Sequence, residues 1–150
     1  LEEHPEFTLF FAPGPRLTRI RPALMERLFV LRPILHLNDD EAFAYTKEKT
    51  LAEAARALYE KSNNTVIITL GKQGCAYYDG TILEIIPGIP ATQVDAIGAG
   101  DAHIGAVIAC LQMGKSLPEA IAAANRVSSL VVETKGALLS DVAFRSLEIE

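Results

Sequence analysis

The sequence has little of what marks several protein classes. Its two cysteines, Cys75 and Cys110, show no CxxC spacing and have no histidine cluster beside them. That leaves buried free thiols in a reducing compartment. Basic runs are missing as well. The net charge is −5, and no stretch of Lys or Arg marks a nucleic-acid surface. No apolar run approaches the roughly 20 residues of a membrane span, and the opening LEEHPE lacks the pattern of a secretory signal. A cytoplasmic protein with neither nucleic-acid nor membrane partners is expected, and the missing initiator Met is expected of a processed or excerpted chain. Internal repeats and low-complexity linkers are absent too. What is present is a chain of 150 residues, 49% hydrophobic, with a mean hydropathy of +0.21. That is enough for one hydrophobic core, expected as a single domain over residues 1–150.

Strand and helix patterns alternate along the chain. FTLFFAP, residues 7–13, reads as a buried strand leading into a PGPR turn. RPALMERLFV has helical spacing, with Leu24, Leu28 and Leu31 at i, i+4 and i+7. PILHLN is a short apolar run that ends at Asn38 and reads as a strand. Residues 39–62 carry a short helix and then an amphipathic one, with Ala52, Ala55, Leu58 and Tyr59 on one side and Lys61 at its end. In NNTVIITLG, Val66, Ile67, Ile68 and Leu70 give the apolar run of a strand covered on both faces. GCAYYDGTILEII has the form of a hairpin turning at Asp79 and Gly80, and PGIPATQ is a loop. Residues 101–113 predict a helix that is apolar nearly all round, hence buried, and ended by Gly114. SLPEAIAAANRVSSLVVE predicts another, capped by Ser116 with Pro118 in its first turn. TKGALLSD then leads to a last short helix. This alternation predicts an α/β fold, Rossmann-like and layered α/β/α, with a mostly parallel sheet.

The stretch VDAIGAGDAHIGA, residues 94–106, crowds three glycines and two acids around a helix start. Gly98, Ala99 and Gly100 are small enough for a ligand to approach the backbone. The first N–H groups of a helix lack internal partners, and the macrodipole adds about half a positive charge there. Together these suit an anion such as a phosphate, which an acidic net charge does not forbid. Asp101 then stands where a carboxylate can take the proton of a hydroxyl attacking phosphorus. The same residues also suit a plainer role, with the glycines making a turn and Asp101 acting as N-cap. Two phosphate motifs are excluded. The third glycine is Gly105, so the GxGxxG spacing fails. In ACLQMGKS, residues 109–116, Ala109 stands where a P-loop needs glycine, and the segment ends a helix instead of opening one.

VDAIGAGDAHIGA resembles the second signature, DTxGAGD, of the ribokinase (PfkB) family of carbohydrate kinases. VIITLGKQGCAYYDG resembles that family's strand and nucleotide loop, TLGxxG followed by a hairpin. LNDDEA resembles its NxxE element, and VVETKGALLS its C-terminal cation-binding loop. The four elements occur in the family's order. The resemblance covers nearly all of this chain but only the C-terminal half of the family.

The resemblance implies a ribokinase-like fold, present as its C-terminal half without the N-terminal half and its β lid. It implies ATP-dependent transfer of a phosphoryl group to a hydroxyl of a small-molecule sugar or nucleoside. Asp101 would be the catalytic base, and Gly98, Ala99 and Gly100 the anion hole for the γ-phosphoryl group. Thr69, Leu70, Gly71, Lys72, Gln73 and Gly74 would hold the nucleotide, with Asn125 against adenine. Asn38 and Glu41 would organise Mg²⁺ and its waters, although Asn at N-cap with Glu at N3 is also the form of a capping box. Asp95, the backbone of Ile97, and Val131, Thr134, Gly136 and Ser140 in the loop over residues 131–140 would hold K⁺. The full-length protein would form a homodimer.

Ala96 departs from the family's usual threonine, which bears on loop order and cation dependence. His103 stands where an aromatic or apolar residue is common, and is expected to pack near the substrate pocket or bond a neighbour; His4 and His36 read as structural. A chain with only this half should expose a sheet edge and an apolar face. Two rival functions follow: a nucleotide-binding fragment or module without catalysis, and a structural half whose glycine turn holds a bystander phosphate.

Overall fold

The computed structural model describes residue 4 and residues 6–136; Ser140 and the expected last helix lie outside the described residues. The chain's contacts divide it into two compact units. One comprises Leu1–Leu70 and Ala76–Ile85, the other Gly71–Cys75 and Ile86–Glu150.

In the first unit the order is β1 (Phe10–Phe11), a 3-10 helix (Gly14–Arg19), α1 (Pro22–Val30), β2 (Ile34–Asn38), α2 (Asp39–Thr46), α3 (Leu51–Ser62) and β3 (Val66–Thr69). The hairpin strands β4 (Gly74–Tyr78) and β5 (Leu83–Pro87) follow, and the unit boundary runs through both. The strands form one sheet in chain order, β1 to β5. β1 pairs parallel with β2, and β2 parallel with β3 in the register Leu35↔Val66 to Asn38↔Thr69. Parallel neighbours need a crossover, and α1 and then α2 with α3 supply the two.

The core of this unit joins Leu17, Met25, Leu35, Leu37, Ala42, Ala54, Ala55, Leu58, Val66 and Ile68. Leu35 and Leu37 alternate with His36, and Val66 and Ile68 with Ile67, yet His36 and Ile67 are buried as well. Both faces of β2 and β3 are therefore covered, as their unbroken apolar runs predict. α3 opens on Thr50, whose hydroxyl accepts the Glu53 N–H at 3.3 Å, and ends at Asn63 in the left-handed region.

Several expectations are corrected. The strand over residues 7–13 shrinks to Phe10–Phe11, and Phe7 is exposed, because among the described residues β1 has a sheet neighbour on one side only. PGPR enters a 3-10 helix instead of a simple turn. α1 buries Met25 and half-buries Leu28 and Phe29 while Leu24 faces solvent, so its inner stripe starts one residue later than the leucine spacing indicates. In α3 the buried partner of Ala55 and Leu58 is Ala54, with Ala52 exposed. The hairpin turns over four residues, where Asp79 Oδ1 accepts the N–H groups of Thr81 and Ile82 at 2.8 and 2.9 Å.

In the second unit α4 (Ala99–Gln112) and α5 (Leu117–Val132) pack on each other. Val107, Cys110, Ala120, Ile121, Ala124 and Val131 are buried, and Cys75 and Cys110 are both buried and form no disulfide. α4 is not buried all round: Gly105 and Ala109 are exposed and Ile104 and Ile108 half-buried, so its apolar far side lacks a cover among the described residues. α4 ends as its glycine predicts, with Gly114 N–H on the Leu111 carbonyl and Lys115 N–H on that of Cys110. Ser116 caps α5 with Glu119 in a reciprocal capping box.

Leu58, 1% exposed in the first core, offers a stability test. Leu58→Ala should cost about 2–5 kcal/mol through lost burial and a cavity. Ala52→Ser, on the exposed side of the same helix, should stay within about 0.5 kcal/mol. Denaturant midpoints of the two variants check this; equal losses would contradict the assigned helix faces.

Candidate functional site

Four groups of predicted residues take local shape, one in the first unit and three in the second. In the first, β2 ends at Asn38, directly opposite Thr69 of β3. Asn38 caps α2. Its Oδ1 accepts the Glu41 N–H at 2.7 Å, and Glu41 Oε2 accepts the Asn38 N–H at 3.1 Å. The capping box is thus formed. It uses one carboxylate oxygen of Glu41 and leaves Oε1 with no protein hydrogen bond among the described residues. Thr69 donates its hydroxyl to the Leu37 carbonyl at 3.4 Å, and Leu70 follows it out of the strand.

In the second unit, Gly71, Lys72 and Gln73 form a single 3-10 turn with all three residues exposed. Gly74 has φ +105°, and a Cβ there would overlap the Ile86 carbonyl and the Gly88 nitrogen. Only glycine fits that position. The Gly88 N–H donates to the Gln73 carbonyl at 3.1 Å, so the segment at residues 86–88 leans directly on the 71–74 loop. Asn125, 5% exposed, is committed inside the protein. Its Nδ2 donates to the Ile86 and Pro87 carbonyls at 3.1 and 3.0 Å, and its Oδ1 lies 3.1 Å from His103 Nε2.

The glycine–aspartate turn departs from its simplest reading. α4 begins at Ala99, with Gly98 as N-cap at φ +82°. Asp101 is therefore N3 and caps nothing, which corrects both the helix start at residue 101 and the N-cap alternative. The Ala99 N–H folds back on the Ala96 carbonyl at 3.3 Å, and the first helical bond is Ala102 N–H to the Gly98 carbonyl at 2.8 Å. That leaves the N–H groups of Gly100 and Asp101 without partners among the described residues. Gly100 has an ordinary helical φ, and a Cβ on it would meet nothing within 4 Å. Neither conformation nor packing asks for glycine there. Asp101 is exposed, with no side-chain hydrogen bond among the described residues.

The fourth group is a clamp behind this turn. Asp95 Oδ1 accepts the Ile97 N–H at 3.0 Å and Oδ2 the Gly136 N–H at 3.1 Å. Those two donors hold its carboxyl below the usual carboxylate range. The Val132 carbonyl receives the N–H groups of Val94 and Asp95 at 2.7 and 3.1 Å. Val131 lies in the last turn of α5, not in a loop, and its carbonyl already accepts both the N–H and the hydroxyl of Thr134 at 3.0 and 2.8 Å. Among the described residues no cluster of three or more His, Cys, Asp or Glu is placed to hold a metal ion.

Sequence reasoning missed the tie from His103 through Asn125 to the 86–87 carbonyls. The partners stand 22 and 38 to 39 positions apart, and no local spacing announces such a bond. The expectation that His103 bonds a neighbour holds. Burial pushes its pKa below the ordinary 6.5, outweighing the bond to Asn125. Between that lowered value and 6.5 the unfolded chain carries the extra proton, so the stability from neutral His103 is complete above about 6.5 and is lost as pH falls through the lowered value. The unfolding midpoint should thus fall between pH 7 and pH 5 more steeply in the wild type than in His103→Gln; parallel profiles would contradict the buried neutral imidazole.

The sequence profile of the pfkB family carbohydrate kinases matches residues 13–143. The uncharacterized sugar kinase YegV of Escherichia coli (strain K12) is 37% identical over 142 residues, 91% of this chain and 44% of that protein. Ribokinase of Bacillus subtilis (strain 168) is 40% identical over 100 residues, 67% of this chain and 33% of its own. Among solved structures, an E. coli protein described as a ribokinase II, in complex with ATP and Mg²⁺, superposes with a TM-score of 0.79 at 28% identity, covering 90% of this chain and 45% of that one. The chain spans less than half the length of these relatives. Its fold is ribokinase-like, and the chain belongs to the pfkB family of carbohydrate kinases.

Proposed function

We propose that this chain is the C-terminal, ATP-binding and catalytic half of a kinase that moves the γ-phosphoryl group of ATP to a hydroxyl of a sugar or nucleoside. The observation that carries this reading is the start of α4. Among the described residues, an exposed carboxylate without a protein partner stands at N3, beside two open N–H groups and a glycine that packing does not require. A phosphate oxygen approaching there meets donors and the positive end of a 14-residue helix. The anion hole is built on Gly98, Ala99 and Gly100: Gly98 sets the turn, Ala99 closes it onto Ala96, and the N–H groups of Gly100 and Asp101 point to the anion. Asp101 takes the proton as the acceptor hydroxyl attacks. Catalysis is then positioning plus electrostatics, as phosphoryl transfer requires.

Residues 69–74 bind the nucleotide through backbone at the end of β3, with Thr69 and Leu70 leading into the exposed turn of Gly71, Lys72, Gln73 and Gly74. Asn125, as the adenine-side residue, acts through the 86–88 segment that its amide holds. Asn38 and Glu41 fit Mg²⁺ with an intervening water shell, since among the described residues Glu41 keeps one carboxylate oxygen free of protein bonds. When bound, the metal neutralises charge on the phosphates. For K⁺, Asp95 and the Ile97 carbonyl retain lone pairs, with Thr134, Gly136 and Ser140 nearby in sequence. Val131 does not fit, because its carbonyl is already doubly bonded, and no step is routed through this cation. The acceptor is a small molecule, the setting cytoplasmic and the complete protein a homodimer. A second reading, nucleotide binding without turnover, applies to these 150 residues alone, since the relatives' remaining length has no counterpart in them.

In the full-length gene product assayed against a sugar panel, Asp101→Asn should lower kcat by about 10²–10⁴-fold, the range of a lost general base, and leave the Kd for ATP close to wild type. Turnover at wild-type rate would remove Asp101 from the role. Gly100→Ala should keep or raise the melting temperature, since alanine suits a helix better by up to about 1 kcal/mol, and should still lower kcat/KM by about tenfold or more by filling the space the anion needs. A variant that is both stable and fully active would overturn the anion hole.

A further inference from the structure

We propose that His103 is a positioning residue for the nucleotide loop, acting through Asn125 and the 86–88 segment; this rests on the reading of residues 69–74 as nucleotide-binding. The links are continuous within the second unit. Asn125 Nδ2 spends both hydrogens on consecutive carbonyls, Ile86 at 3.1 Å and Pro87 at 3.0 Å. That fixes the orientation of the amide and turns its Oδ1 toward His103 as an acceptor. Nε2 of His103, 3.1 Å away, must then carry the proton, so the imidazole is the donor that orients Asn125.

Carbonyls of successive residues in a regular strand point to opposite sides. Gripping two in a row with one amide bends the chain at the end of β5, and the next residue, Gly88, donates to the Gln73 carbonyl at 3.1 Å. The fit on the far side is equally close. A Cβ on Gly88 would sit 2.7 Å from the Lys72 carbonyl, and one on Gly74 would overlap the Ile86 carbonyl that Asn125 holds. The loop over residues 71–74 therefore has little room to move unless the 86–88 segment moves with it. His103 is 2% exposed and lies two residues after Asp101 on α4. One helix thus presents the proposed base to solvent and, from its inner face, sets the backbone on which the nucleotide loop rests.

The test compares His103→Phe, which keeps bulk and loses the donor, with His103→Gln, whose amide keeps one, in the full-length gene product. His103→Leu is run beside the Phe variant. Two measurements are made: the Kd for ADP by calorimetry, and amide hydrogen exchange at residues 71–75 and at Ile86 and Gly88 without ligand. His103→Phe should weaken ADP binding by about tenfold, the scale of one buried hydrogen bond, and speed exchange at those amides selectively. His103→Gln should restore both to within about twofold of wild type. Wild-type-like exchange and ADP binding in the Phe variant would overturn the proposal. So would a Gln variant as impaired as Phe, or failure of both Phe and Leu variants to fold, which would make His103 structural. A wild type that does not bind ADP sinks the nucleotide reading itself and leaves the exchange data to decide the mechanical link separately.

Discussion

Parallel pairing of β2 with β3 is the constraint that organises the first unit. Two parallel strands leave the sheet at the same edge, so whatever follows each strand is delivered side by side. Here the register sets Asn38 opposite Thr69. The N-terminus of α2 and the entry to the TLGKQG loop thus begin from neighbouring backbone, though 31 residues separate them in the chain. The crossover through α2 and α3 is what that arrangement demands, and the Ala54, Ala55 and Leu58 stripe exists to hold it down.

The second unit meets a different problem, which is to hold loops without regular pairing. It does so with polar groups committed to the protein's own backbone and side chains. Asn125 uses three hydrogen-bonding positions in a nearly dry setting, and Asp95 uses both carboxylate oxygens on backbone N–H groups. Such bonds are worth little individually, but breaking one at Asn125 strands a buried partner, which makes that arrangement hard to leave. Against this background Asp101 stands apart as an acid beside open donors with no employment inside the described residues. In a chain of the pfkB family, that contrast between committed and uncommitted polar groups separates what holds the turn from what the turn presents.

Much of this was legible locally. The strand at Val66–Thr69, the capping boxes at Asn38 and Ser116 and the glycine stop at Gly114 each follow from signals a few residues long. The failures share a cause. Met25 in place of Leu24, Ala54 in place of Ala52, and the exposed far side of α4 are questions of rotation about a helix axis, and a largely apolar helix gives periodicity nothing to grip. The start of α4 at Ala99 was missed because Asp is a good N-cap residue, while Gly98 can cap by backbone conformation alone.

By itself, then, the sequence determined the alternation of strands and helices, the caps at Asn38 and Ser116, and the family signatures around Asp101. It could do so because caps, turns and strand runs depend on interactions among near neighbours. Only the tertiary structure decided that, among the described residues, Asp101 is left without a partner and Gly100 is not needed for packing, and that His103 reaches the 86–87 carbonyls through Asn125. Those outcomes depend on which distant groups consume one another's hydrogen bonds and space, and that competition is settled when the helices pack.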